Sequence, residues 1–329
     1  MGTQGMFAGV GASGLQLAGF TLLACLAAGM MLVTGILQVR REASRLSVGM
    51  GVASAVLAIV GVALFVLTLG NPASFFGGFR HATTGITLLL YASLLFVAAS
   101  VVGAVLASRD EDGDAPAWMG AVTVVASVLF VGGVTLGFLK TTLAQLNWGV
   151  AALFLLFLAG ACTLGGLATL VVVGVMGGTG TGDADADGTG GELAAAGAVA
   201  RKVVLPGAIV AVAAAALLLG WFATSAHSTV ARGAAKAAYS MQGFASTGAT
   251  GASSAAAATL LSSVVTRHGL LFWGGAVVLG MVVPLLAGVC LSLRSVAASR
   301  GKVLAIAGVG LACALVGGYF VRVVIALLM

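Results

Sequence analysis

Asn71, Arg80 and His81 are the polar side chains of one short junction. It runs from Thr68-Leu69-Gly70-Asn71-Pro72 through Phe75, Phe76 and Phe79 to Thr83-Thr84. Gly70 and Pro72 stop the apolar run before them, because glycine is entropically costly in a helix and proline lacks the N–H that continues one. The three phenylalanines can line an apolar slot, with Asn71, Arg80 and His81 as donors beside it. An apolar cleft with a few convergent polar groups is what a quinone ring and its carbonyls require. Quinol oxidation also needs a proton acceptor, and histidine is the side chain that ordinarily titrates near neutrality. The same residues also fit an ordinary interfacial loop, and the residues by themselves leave both readings open. Near the chain end, Tyr319 and Arg322 stand three apart, on one face of a helix. Arg322 either snorkels to the membrane boundary or faces the bundle and builds a polar site there.

These residues must be held by elements that live in lipid. Of 329 residues, 60% are hydrophobic and only 7% charged, against roughly 25% charged in a soluble domain. Eight apolar runs are long enough to span, at about 20 residues each. They cover Leu15–Leu37, Val48–Leu67, Thr84–Leu106, Trp118–Leu139, Trp148–Met176, Val203–Thr224, Leu270–Leu291 and Leu304–Leu328. No basic residue precedes Arg40, so the first run is expected to be a retained helix rather than a cleaved leader. The expected fold is all-α: one polytopic membrane domain over residues 1–329, an eight-helix transmembrane bundle. The 50 glycines, mixed with Ala and Ser, let such helices approach closely.

Between the fifth and sixth runs, Gly177–Gly191 is rich in Gly, Thr and Asp and reads as a flexible acidic linker. Pro206 fits the first turn of the sixth span, and Pro284 predicts a kink in the seventh. The long stretch Ser225–Gly269 is expected to lie outside the spans. Within it Ser228 is expected to cap a short helix carrying Arg232 and Lys236, and a second short helix is expected over Ser253–Val265.

Lys and Arg set the orientation. Arg40, Arg41, Arg45, Arg109, Arg201, Lys202, Arg294, Arg300 and Lys302 fall on one side; Arg80, Lys140, Arg232, Lys236, Arg267 and Arg322 fall on the other. The richer side is expected inside, with both termini outside, in the cytoplasmic membrane. All acidic residues then lie inside, and His81, His227 and His268 lie outside with the junction.

Several chemistries find no residues. A b-type haem takes histidines within spans, and no span holds a central one. Cys25, Cys162, Cys290 and Cys313 are scattered singly through apolar runs, so an iron–sulfur cluster has no ligand set and small buried residues are expected. No span carries Asp, Glu or Lys in its interior, which argues against proton pumping. The Asp183-x-Asp185-x-Asp187 run lacks the Gly and terminal Glu of a calcium loop. Gln145-Leu146-Asn147-Trp148 reads as an interfacial belt.

Leu69-Gly70-Asn71-Pro72, then Phe75-Phe76, then Thr83-Thr84 opening an apolar helix, resembles the membrane anchor subunit of the dimethyl sulfoxide reductase family. The closing Gly317-Gly318-Tyr319-Phe320-Val321-Arg322 is similar to that family's last helix. The resemblance implies an anchor that oxidises menaquinol and carries neither haem nor iron–sulfur cluster of its own. Its implied partners, on the outer face, are a four-cluster iron–sulfur subunit and a molybdopterin catalytic subunit; no nucleic acid is expected. The quinol-binding residues so implied are His81, Arg80, Asn71, Thr68, Tyr319 and Arg322. The family often has His before Leu-Gly, where Thr68 stands, and an acid early in the third helix, where Thr87 to Leu90 stand; either Arg80 and His81 take the quinol role, or this anchor handles quinol differently or poorly. Related alternatives are a polysulfide- or nitrite-reductase-type quinone subunit. From other classes come a small-molecule transporter and a non-catalytic scaffold.

Overall fold

The computed structural model describes residues 12–40, 45–68, 84–109, 116–139, 148–176, 189–240, 269–293 and 299–328. Eight helices long and apolar enough to cross a membrane are found among them. They are α1 (Ala12–Val39), α2 (Arg45–Thr68), α3 (Gly85–Arg109), α4 (Ala117–Leu139), α5 (Trp148–Met176), α6 (Thr189–Ser240), α7 (Leu270–Ser292) and α8 (Arg300–Leu328). The all-α, multi-pass membrane architecture expected from the apolar runs is therefore present.

Burial is arranged for lipid. Val, Leu and Trp side chains such as Leu94, Val125, Leu217 and Trp273 are exposed, whereas Thr21, Ser54, Ser100, Thr123 and Thr169 are buried. Inside, a hydroxyl needs a partner, and helices supply one. Ser54, Ser100 and Thr123 donate to the carbonyls of Met50, Phe96 and Met119, four residues back. Helix starts and ends are also met locally. The Thr84 hydroxyl accepts from the Thr87 N–H at the start of α3. Arg300 donates to the Gly174 carbonyl at 2.9 Å, placing a cation at the C-terminal end of α5.

Neighbours run antiparallel and form two closed rings. In the first, α1 packs on α2, α2 on α3, α3 on α4 and α4 back on α1; in the second, α5 to α8 close in the same order. α1 joins them, touching α5, α6 and α8 as well. α1 begins and α8 ends at one end of the bundle, where Tyr319 Oη approaches the Leu15 carbonyl at 3.4 Å. We call this the terminal end.

Glycine allows two of the closest helix contacts. Gly29 of α1 lies against the backbone of Ala161 and Gly165 on α5, and Gly317 of α8 lies against Leu279 and Gly280 on α7. A Cβ at Gly29 would overlap the Ala161 carbonyl, which has no rotamer by which to yield. Gly29→Val is thus expected to destabilise the bundle by more than about 3 kcal/mol, at or beyond the upper end of ordinary overpacking. Thermal unfolding of the purified protein in detergent checks this.

Three local expectations differ from the structure. α6 begins at Thr189, not Val203, so part of the expected linker is helical and Pro206 sits in the helix interior. The segment Leu193–Ala200 is Ala-rich, and alanine has the highest helix propensity. α6 also continues to Ser240, so Ser228 opens no separate helix; this stretch too is rich in Ala. At Pro284, where a kink is expected, the helix changes type. α7 is π-helical over Leu270–Val282 and α-helical over Val283–Ser292, with the Val283 N–H bonded to the Val278 carbonyl. Ser253–Val265 lies outside the described residues.

Candidate functional site

Arg322 decides where the polar chemistry sits. Its Cα is near the terminal end of α8, and a snorkelling side chain would reach that end. Instead the side chain turns back along the helix into the bundle, leaving Arg322 only 4% exposed. Nη1 donates to the Gly318 carbonyl at 2.8 Å. Gly318 lies about two turns, or about 12 Å, inside the span end at Ala326. The guanidinium therefore lies within the apolar span rather than at its end.

Three neighbours fix it there. Gly318 leaves the space: a Cβ on it would sit 3.2 Å from Nη1. The Phe157 ring of α5 lies with its centroid 5.1 Å from Cζ, within cation–π range. Cys25 of α1 is fully buried and within hydrogen-bonding and electrostatic reach of the guanidinium. No span supplies a carboxylate. Among the described residues, Arg322 Nε is buried with no hydrogen-bond partner.

A cavity of about 50 Å³ opens beside this group, lined by Phe157, Thr163, Gly280, Pro284, Gly318 and Arg322 among others. It has room for a few waters. Thr163 donates to its own Ala159 carbonyl at 2.9 Å, so its oxygen can still accept. Pro284 has no N–H to offer the carbonyls of Leu279 and Gly280. The site therefore combines a buried cation and an aromatic wall with a hydroxyl acceptor at Thr163. At about 50 Å³ it holds a small oxygen-bearing group, anionic or carbonyl, at the guanidinium, and a ring beside it requires lining side chains to yield.

The other sequence-derived candidates part company here. Tyr319 does not share the cavity. Its hydroxyl points to Leu15 of α1, and it packs against the cluster that includes Phe272, Ala276 and Val323. Three residues apart on a helix does not ensure one destination, because Arg322 is long enough to fold back a full turn. Thr68 ends α2, but its side chain lies outside the described residues, as do Asn71, Arg80 and His81. Thr87, Leu89 and Leu90 are buried in the first ring. Among the described residues, no group of three His, Cys, Asp or Glu side chains is placed to hold a metal ion. The four cysteines are free; Cys25 is buried as expected, whereas Cys162, Cys290 and Cys313 are only half-buried.

Phe157, Thr163, Met281 and Cys25 are the site residues that sequence reasoning did not single out as a group. The available signal was Gly280 with Pro284 on α7 and Gly317-Gly318 on α8, small residues and a helix breaker that leave room beside a cation. No protein-family model matches the chain, and no curated protein matches it.

Proposed function

We propose that the chain is the membrane anchor and menaquinol-oxidising subunit of a respiratory molybdoenzyme complex in the cytoplasmic membrane. The observation that carries this reading is Arg322, buried at 4% exposure with Nε unpartnered beside a cavity walled by Phe157. A quinone carbonyl accepts from such a donor, and its ring packs on the aromatic wall. A permanently charged arginine also favours the oxyanion that develops as quinol loses its protons. Menaquinol gives up two electrons and two protons in becoming menaquinone. The electrons pass to an extrinsic iron–sulfur subunit, and from it to a molybdopterin subunit. The protons leave to water, with His81 as the side chain suited to receive them in the junction that joins α2 to α3. Orientation by Lys and Arg puts this junction and both termini outside, where the partner subunits dock.

A second reading draws on the same arginine. Two four-helix rings of identical connectivity, with a buried cation and no counter-charge in the spans, also suit a transporter of a small anionic solute.

Isolation of the full chain from its native membranes separates the two. The anchor reading expects co-purified iron–sulfur clusters, visible by electron paramagnetic resonance and reduced on adding menaquinol. His81→Ala is expected to slow that reduction by about 10²-fold or more, the range of a lost acid–base group, with the complex still assembled. A chain that purifies without clusters, binds no quinone and moves anions across liposomes would overturn the anchor reading.

A further inference from the structure

A second cavity of about 60 Å³ adjoins the Arg322 cavity on the side of the terminal end. The two lobes share Leu156, Met281 and Val321 as a common wall. The second is lined by apolar side chains alone, with Ala215, Leu219, Phe272 and Ala276 among them. It opens on the lipid-facing surface, where Leu219 is 36% exposed.

The cause of the opening lies in α7. Its π-helical half leans on α8, because Gly275 and Gly280 bring it onto Phe320 and Gly317. Among the described residues, α6 packs on the α-helical half of α7 through Leu205 and Gly288, and barely touches the π-helical half. The two helices therefore diverge toward the terminal end and leave a crevice between them. One end of the crevice is polar, at a buried donor without a partner; the other is wholly apolar and faces lipid.

We infer that this crevice seats the isoprenoid tail of a quinone, and that the quinone enters from the lipid between α6 and the π-helical half of α7. The inference rests on the quinol-oxidising function proposed above and adds the route and the tail seat. The polarity gradient selects an amphiphile whose oxygen-bearing head lies deep and whose chain leads back to lipid. A free anion would use the Arg322 end and leave the apolar lobe without a role. Met281 lines both lobes and has three rotatable bonds, so it is the side chain able to swing aside for the ring.

Equilibrium binding to the full chain in lipid nanodiscs tests this, with two probes. Menaquinone with a polyprenyl tail needs the lobe, and tail-less menadione needs only the Arg322 end. Ala276→Phe fills the lobe from inside, and Leu219→Trp narrows its mouth at the surface, where buried neighbours need not move. Both variants are expected to weaken menaquinone binding by at least about tenfold, or about 1.4 kcal/mol, and to leave menadione within about twofold. Equal loss of both probes in Leu219→Trp, or no loss of menaquinone in either variant, would overturn the tail seat. A wild-type chain that binds neither probe would instead overturn the quinol reading beneath it.

Discussion

Arg322→Met is expected to weaken quinone binding strongly without harming the bundle. Loss of a hydrogen bond from a charged donor costs about 1.5–3 kcal/mol, so menaquinone affinity should fall by about 10–150-fold. Stability should hold or rise. The guanidinium is nearly buried, has one carbonyl bond and an aromatic face, and leaves Nε unmet. A charge inside a membrane span costs up to about 3 kcal/mol on insertion scales, and methionine fills similar space at no such cost. In other proteins, exchanging buried ionic groups for packed apolar ones has been neutral or stabilising by about 1–4 kcal/mol. Thermal unfolding and quinone titration of one nanodisc preparation read both effects. If the variant unfolds at lower temperature while still binding quinone, the arginine is structural. Arg322→Lys sharpens the comparison. It retains the charge but offers neither Nε nor the planar fork, so binding should remain well below wild type.

The eight spans were legible because the bilayer imposes a length. Each apolar run near 20 residues became one helix, and the polar breaks became junctions. Helix ends were less legible. The Ala-rich stretches flanking the sixth span favour helix in any solvent, so α6 extends past both of its apolar limits. The conversion of α7 to π-helix was not legible at all, since no residue type specifies it; Pro284 signalled only that regular bonding must break. Helix pairing was legible in kind but not in partner. Glycine abundance announced close contacts, whereas the meeting of Gly29 with Gly165 and of Gly280 with Gly317 depends on which faces oppose each other.

The direction of Arg322 was the decisive unknown, and it shows why. Its position near the end of α8 allows both snorkelling and inward folding. Gly318, one turn back, removes the obstacle to folding inward, and Phe157 and Cys25 arrive from other helices to receive the guanidinium. Two of those three partners are remote in sequence, so local spacing carried only a third of the answer. For Tyr319 the outcome is reversed. Its spacing from Arg322 suggested a shared site, but a rigid phenol cannot fold back along the helix, and Leu15 is the acceptor it reaches.

Cys25→Asp is expected to show that the buried cation lacks a counter-charge. The side chain is fully buried beside the guanidinium, and aspartate is close to cysteine in size. With Arg322 present, the carboxylate gains an ion pair in a low-dielectric site, and the variant should fold near wild-type stability. Combined with Arg322→Met, the same carboxylate has no cation among the described groups that line the site, and an uncompensated buried charge costs about 3–5 kcal/mol. The double variant should therefore lie below the sum of the single effects by that coupling energy, measured as a double-mutant cycle of unfolding free energies. The single variant should also lose quinone, because the guanidinium then spends its donors on Asp at position 25 and the cavity becomes net neutral. Retained quinone affinity in the stable single variant would mean that the headgroup sits elsewhere, and the junction around His81 would become the stronger candidate. An additive cycle would mean that the guanidinium is already neutralised by its surroundings. The two measurements thus separate the electrostatics of the site from its occupancy, which a substitution at Arg322 alone changes together.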